Sequence, residues 1–295
     1  MLNRRLLGPR YWPSWTVVGL LRLVSHLPWR CQLAIGRLTG RVTRRVARRR
    51  RRITATNLGL CFPEMSAADR RRLLAAHFDS LGIGIIEAVN GWWKPTPWLA
   101  RRLQLEGLEN LHRALAGGRG ALLLTGHFTT LEMGAQMLGF TQPSTGVYRQ
   151  HENPVFDRVM HAGRLARGGT LFERGNLRGL LRALRAGKTV WFAPDQAYLG
   201  PHGVEAPFFG VPAPTNTATA RIAAASGAPV LPFFVERLPG ATGYRVAIEP
   251  PLQNFPVGDP VADAARVNAV IETGIRRAPA QYLWSHDRFK RFRRP

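Results

Sequence analysis

The chain has 295 residues, 45% of them hydrophobic, and sets 42 Lys and Arg against 18 Asp and Glu for a formal net charge of +24. That length suits one large α/β domain with appendages and supports a real core, while the charge points to anionic partners. The two cysteines, Cys31 and Cys61, lack metal-ligand spacing, which argues against a disulfide framework or a structural zinc site.

Residues 11–21 carry no charge, Arg22 interrupts them, and residues 23–27 and 33–35 continue the apolar character. This is shorter than the about 20 apolar residues of a spanning helix, and Trp12, Trp15 and Trp29 suit a membrane interface. Residues 1–40 are therefore expected to form a membrane anchor, either a marginal span or an interfacial helix, with an ordinary packing helix as the alternative. No small-residue cleavage site suggests a removed signal peptide. Residues 41–52 contain eight arginines and no acid. Beside an apolar segment such a run is expected to bind anionic headgroups, at about 1 kcal/mol per charge, and to place the bulk of the chain on the cytoplasmic side. Nucleic acid is the rival partner for the same run. With no recognition-helix pattern, RNP-type motif or zinc knuckle, nucleic acid is not expected. Residues 41–63 read as a polybasic connector and 64–295 as one α/β domain with a leading helical part.

Residues 64–90 have helical spacing, with His77 as a helix-face residue, until Gly91-Trp92-Trp93-Lys94-Pro95 breaks the helix. Trp92 and Trp93 are either a second membrane-facing pair or core contacts. Beyond residue 104, strands are expected at 121–124, 145–148, 169–172, 188–192, 229–235 and 244–248. Helices are expected near 107–116, 130–139, 153–166, 176–186, 215–227 and 260–277. This alternation predicts an α/β fold with a mostly parallel sheet covered by helices on both faces. Residues 282–295 form an aromatic, basic tail, either returning to an anionic surface or solvated.

Parallel βα units gather their strand ends on one sheet edge, where open α/β folds place their chemistry. That edge collects His127, Arg149, Arg174, Asp195 and Gln196. Asn176 is a natural N-cap, and Arg149 and Arg174 can alternatively pair with Glu152 and Glu173. G-x-S-x-G, H-E-x-x-H, G-x-x-x-x-G-K and G-x-G-x-x-G are all absent from the sequence. What remains is direct transfer with His127 as general base, such as a hydroxyl attacking a thioester, with backbone N–H groups or an arginine stabilising the oxyanion. Glu132 follows His127 by five residues, a turn of roughly 140° around a helix axis. The two can meet only if His127 precedes the helix. Either Glu132 or Asp195 can orient the imidazole, and Glu132 is the expected partner.

GHFTTLE (126–132) matches the H-x4-D/E motif of glycerolipid-type acyltransferases. GVYR (146–149) with Asn153-Pro154, RGNLRGLLRAL (174–184) with Gly187-Lys188, VWFAPDQ (190–196), the long segment 206–232 and APAQYLWSHDRFK (278–290) are more specific. Together they resemble the late acyltransferases of lipid A biosynthesis, the lauroyl/myristoyl family, over most of 104–290. The resemblance implies an acyl–acyl carrier protein donor and no cofactor. It also implies acylation of a hydroxyl on a hydroxyacyl chain of an anionic, Kdo-bearing lipid A precursor, at the cytoplasmic face of the inner membrane. By it, His127 is the base, Glu132 its motif partner and Arg149 a substrate or charge-stabilising residue. From their place at the strand ends, Arg174, Asn176, Asp195 and Gln196 are further candidates for substrate binding or charge stabilisation. Ala197 and Asp287 depart from the family's usual acidic and basic residues. The competing readings are a related acyltransferase with another glycolipid or phospholipid acceptor, and a basic membrane-surface or nucleic-acid-binding protein.

Overall fold

Four consecutive apolar residues leave a strand no solvent face, and the computed structural model puts Ala121–Leu124 in mid-sheet with all four side chains buried. The structure describes residues 4–290, apart from 140, 143, 149, 167, 168 and 174. Three helices come first: α1 (Trp12–His26), α2 (Trp29–Val46) and α3 (Arg48–Cys61). The long α4 (Ala67–Trp93) and short α5 (Thr96–Ala100) follow. Strands and helices then alternate as β1 (Leu103–Glu106), α6 (Leu108–Ala116), β2 (Ala121–Leu124), α7 (Leu131–Gly139), β3 (Ser144–Tyr148), α8 (Pro154–Leu165), β4 (Thr170–Glu173), α9 (Leu177–Arg185) and β5 (Thr189–Phe192). A hairpin of β6 (Gly203–Phe208) and β7 (Val211–Asn216) precedes α10 (Ala218–Ser226), β8 (Val230–Arg237), β9 (Tyr244–Ile248) and α11 (Pro260–Arg277).

Among the described residues the main sheet has seven strands in the order β1-β9-β8-β2-β5-β3-β4. Every neighbouring pair is parallel except β8 and β9, so β1 and β9 run against the other five. Side chains alternate across the strands. Leu122, Leu124, Val230 and Phe234 face one core with residues of α9, α10 and α11; Ala121, Leu123, Leu231 and Phe233 face the other with residues of α6 and α7. The sheet is therefore covered on both faces, as the alternation of elements predicts.

The leading helices pack on this domain. Ser66 caps α4 by accepting the Asp69 N–H at 3.1 Å, and α4 crosses α2 at glycine-to-glycine distance. A Cβ at Gly40 would lie 2.0 Å from the Phe78 carbonyl oxygen, and one at Gly82 would lie 2.1 Å from that of Gly36. Inside the crossing, Asn90 donates to the Gln32 side-chain oxygen at 2.6 Å. Further along α4, fully buried Glu87 accepts from Arg237 at 2.5 Å at both oxygens and from the Tyr244 hydroxyl at 2.6 Å, tying the helix to β8 and β9. His77 is also buried, and desolvation pushes its pKa down to about 4.

Three stretches take a definite form. Residues 41–63, read as a polybasic connector, contain the end of α2 and all of α3, in which Ile53, Asn57, Leu58 and Cys61 recur at helical spacing and are buried beneath the arginines. The described part of the tail, residues 282–290, is not solvated: Tyr282, Trp284 and Phe289 are core residues, and Asn57 donates to the carbonyls of Trp284 and His286 at 2.8 and 2.7 Å. At the N-terminus, α1 has 15 residues, fewer than the about 20 needed to span. Among the described residues only α4 is long and apolar enough to cross a membrane, and half of its apolar window is buried inside the protein.

Candidate active site

The site forms where β2 and β5 end side by side. Thr125 donates its backbone N–H to the Phe192 carbonyl at 3.1 Å, carrying the strand ladder past β2. The chain then turns at Gly126 and α7 begins at Leu131. His127 thus precedes the helix, and its side chain is held from the neighbouring strand end. Its backbone N–H donates to Asp195 Oδ2 at 2.9 Å, and its Nδ1 lies 2.6 Å from Asp195 Oδ1. With Nδ1 committed to the carboxylate, Nε2 is the nitrogen left to take a proton.

The loop bearing His127 is fastened by the end of the chain. Leu283 donates to the His127 carbonyl at 2.9 Å, Thr129 donates to the Gln281 carbonyl at 2.7 Å, and Phe128 bridges Tyr282. The loop after Asp195 is held similarly: Ala197 donates its N–H to His286 Nε2 at 3.2 Å. Burial pushes His286 down to about 4, so it stays neutral and accepts that bond.

Asp195 is 2% exposed and His127 28% exposed. Burial opposes the ionised carboxyl, yet the charge of His127, the hydrogen bonds from its ring and backbone, and the Tyr282 hydroxyl outweigh this and hold Asp195 at about 2. Burial likewise disfavours the imidazolium, but the charge and hydrogen bond of Asp195 prevail and raise the His127 pKa above its ordinary value. The pair is thus an ionised carboxylate orienting a strengthened base.

Glu132 does not orient His127. It receives both ends of the Arg164 guanidinium, with Nε at 3.0 and 3.1 Å from its two oxygens, and accepts the Trp92 indole N–H at 3.1 Å. Because α7 starts only one residue before Glu132, the carboxylate projects from the first helical turn toward α8 and the end of α4, away from the β5 end. Glu132 nevertheless shares a cavity of about 460 Å³ with His127, Arg164 and Gln196, whose apolar walls include Leu131, Val147, Leu171 and Trp191. That volume is in the range of small-molecule and cofactor pockets.

Asn176 is not in this cavity; its Oδ1 accepts the Gly179 N–H at 2.9 Å and caps α9. Arg149 and Arg174 lie outside the described residues. Sequence reasoning missed Arg164 and Trp92, which have no local motif and reach Glu132 across 32 and 40 residues. It also missed Tyr282 and His286 as site neighbours, although both lie in the 278–290 segment that carries part of the resemblance.

Residues 2–291 match the family described as bacterial lipid A biosynthesis acyltransferase. The lipid A biosynthesis lauroyltransferase of Escherichia coli (strain K12) is 40% identical over 286 residues, covering 97% of this chain and 94% of the relative. The palmitoleoyltransferase of the same organism is 38% identical, covering 98% and 94%, and its myristoyltransferase is 26% identical, covering 94% and 86%. A match along nearly the whole chain, with the His127 motif in place, shows that this protein belongs to the bacterial lipid A biosynthesis acyltransferase family.

Proposed function

We propose that this lipid A acyltransferase moves a fatty acyl chain from an acyl–acyl carrier protein thioester to a hydroxyl on a hydroxyacyl chain of a Kdo-bearing lipid A precursor. The observation that carries this reading is the His127–Asp195 pair opening into an apolar-walled cavity at the carboxyl edge of the sheet. His127 Nε2 takes the hydroxyl proton as that oxygen attacks the thioester carbon. The tetrahedral oxyanion is stabilised by nearby donors, with Arg149 the residue proposed for that charge. The C–S bond then breaks, and the thiolate leaves with the proton from the imidazolium. No covalent acyl-enzyme forms, and no cofactor takes part. Arg164, pinned by Glu132, lines the same cavity and positions substrate, with Gln196 beside it.

The donor, the acceptor and the bilayer are all anionic, which the charge of +24 suits. We assign the protein to the inner membrane with its site on the cytoplasmic face. Support comes from the exposed arginines of α2 and α3 and from the exposed Trp12, Leu20 and Leu23 of α1, with exposed Leu27 just past its end. The test is incubation of the purified protein with acyl-carrier thioesters and a panel of lipid acceptors. Acylation of the Kdo-bearing precursor is the expected outcome. Turnover confined to phospholipid or other glycolipid acceptors would overturn the acceptor assignment, and turnover with acyl-coenzyme A alone would overturn the donor.

A further inference from the structure

Across four neighbouring strands, Leu123, Trp191, Gly146 and Leu171 stand in register and turn the same way, toward α7. Three of them are large and apolar and the fourth has no side chain, so the row has a gap between Trp191 and Leu171. Neither backbone conformation nor crowding requires glycine there. The φ of Gly146 is not positive, and a Cβ built on it would meet, among the described residues, only Leu171 Cδ2 at an ordinary contact distance of 3.4 Å. A glycine inside a strand weakens the strand and often marks a place where a ligand comes close. Trp191, Gly146 and Leu171 all line the His127 cavity, so the gap opens into it.

The cavity continues beyond the gap. The next row, about 7 Å farther from the carboxyl edge, consists of the small residues Ala121, Thr189 and Ser144. Ser144 of that row lines the cavity together with Gly169. Opposite, Leu131, Ala135 and Gly139 follow one face of α7 over about 12 Å, and they shrink with distance from His127. A slot therefore runs from the base down between helix and sheet, past Gly146. Glu132 and Arg164, the cavity's ion pair, hold each other on its α8 side. The transferred chain begins at the reacting carbon, so it has to leave the base along a walled route that starts there. We propose that the fatty acyl chain of the donor lies in this slot and that Gly146, by having no side chain, sets the longest tail that can pass. This assignment rests on the acyl-transfer reading and names the residue that selects the chain.

Initial rates with saturated acyl-carrier thioesters of graded length test this. Gly146→Val suits a strand. It should lower the ratio of kcat/KM for the longest chain used to that for the shortest by about 10–200-fold, the usual cost of one misfitting methylene. Gly146→Ala should shift the ratio the same way by less. Ala135→Leu narrows the slot from the α7 side and should act alike, which covers the case in which Gly146→Val does not fold. An unchanged ratio in these variants would overturn the inference, and so would a shift seen only when the acceptor's hydroxyacyl chain is varied. Calorimetric binding of saturated fatty acids of the same lengths reads the slot without turnover. Selective loss of the longest acids in Gly146→Val supports the slot even where acyl-carrier thioesters give no rate, so failure of the donor reading and failure of the slot are told apart. The same length dependence of binding in the variant and the unaltered protein would overturn the slot.

Discussion

Asp195 holds His127 at two points, its Oδ1 2.6 Å from the ring nitrogen and its Oδ2 2.9 Å from the backbone N–H of the same residue. Side chain and main chain of His127 are thus fixed by one carboxylate. Asp195→Asn keeps an oxygen for the backbone contact but loses the charge. Its turnover should fall by about 10²–10⁴-fold, the usual contribution of a positioned general base. Circular dichroism and the thermal midpoint should stay near those of the unaltered protein; unaltered turnover would remove Asp195 from the reaction.

The pH profile separates charge from geometry. His127 must be neutral to accept a proton, and Asp195 raises its pKa, so the rate should climb with pH through an inflection above the ordinary histidine value. In Asp195→Asn that inflection should move to lower pH, because burial then acts on the imidazolium alone. An inflection that stays in place would show that another group governs it.

Stability should respond to acid in a defined window. The Asp195 pKa is about 2 in the folded chain against an ordinary value of 3.8. Its contribution is complete above the unfolded value and is lost as pH falls from near 4 toward 2. Urea unfolding across this window should show a shallower acid loss in Asp195→Asn than in the unaltered protein. Parallel curves would contradict the linkage.

Glu132 and Arg164 should behave as a unit distinct from the base. Glu132→Gln and Arg164→Gln should each lower kcat/KM while leaving the pH inflection of His127 in place. Their double variant should show a coupling of about 0.5–3 kcal/mol, as expected for side chains in direct contact. Additive effects would mean that the clamp has no energetic role in catalysis.

Glu87→Gln should destabilise the fold by about 3–5 kcal/mol, since it strands the buried Arg237 guanidinium without its counter-charge. Tyr244→Phe removes only one donor to Glu87 and should cost about 1–3 kcal/mol. Denaturant midpoints of the two variants check the order; a larger loss for Tyr244→Phe would reverse the argument.

Much of the sheet was legible because its strands are short apolar runs bounded by glycine and proline. Ala121–Leu124 and Tyr244–Ile248 have the bounds read from sequence, and α11 spans the 260–277 expected. The β6–β7 hairpin was missed: Pro207, Pro212 and Pro214 fall inside its strands and weaken the strand signal. The site was legible as a set of strand ends, since parallel topology brings Asp195 to His127 whatever lies between them. The choice between carboxylates was not. It turns on where α7 begins relative to His127 and on the pull of Arg164 from α8, and neither is encoded within the motif itself. The arginines at 48–52 hid the helix they belong to, because the residues that anchor α3 follow the charged run.

The rungs from residues 281–283 to the loop at 127–129 have a bearing on timing. His127 and its brace lie more than 150 residues apart in sequence, so the loop cannot settle until the later stretch has been synthesised and has folded against it. A substitution at 281 or 283 would thus reach the imidazole through main-chain rungs, without touching the cavity wall.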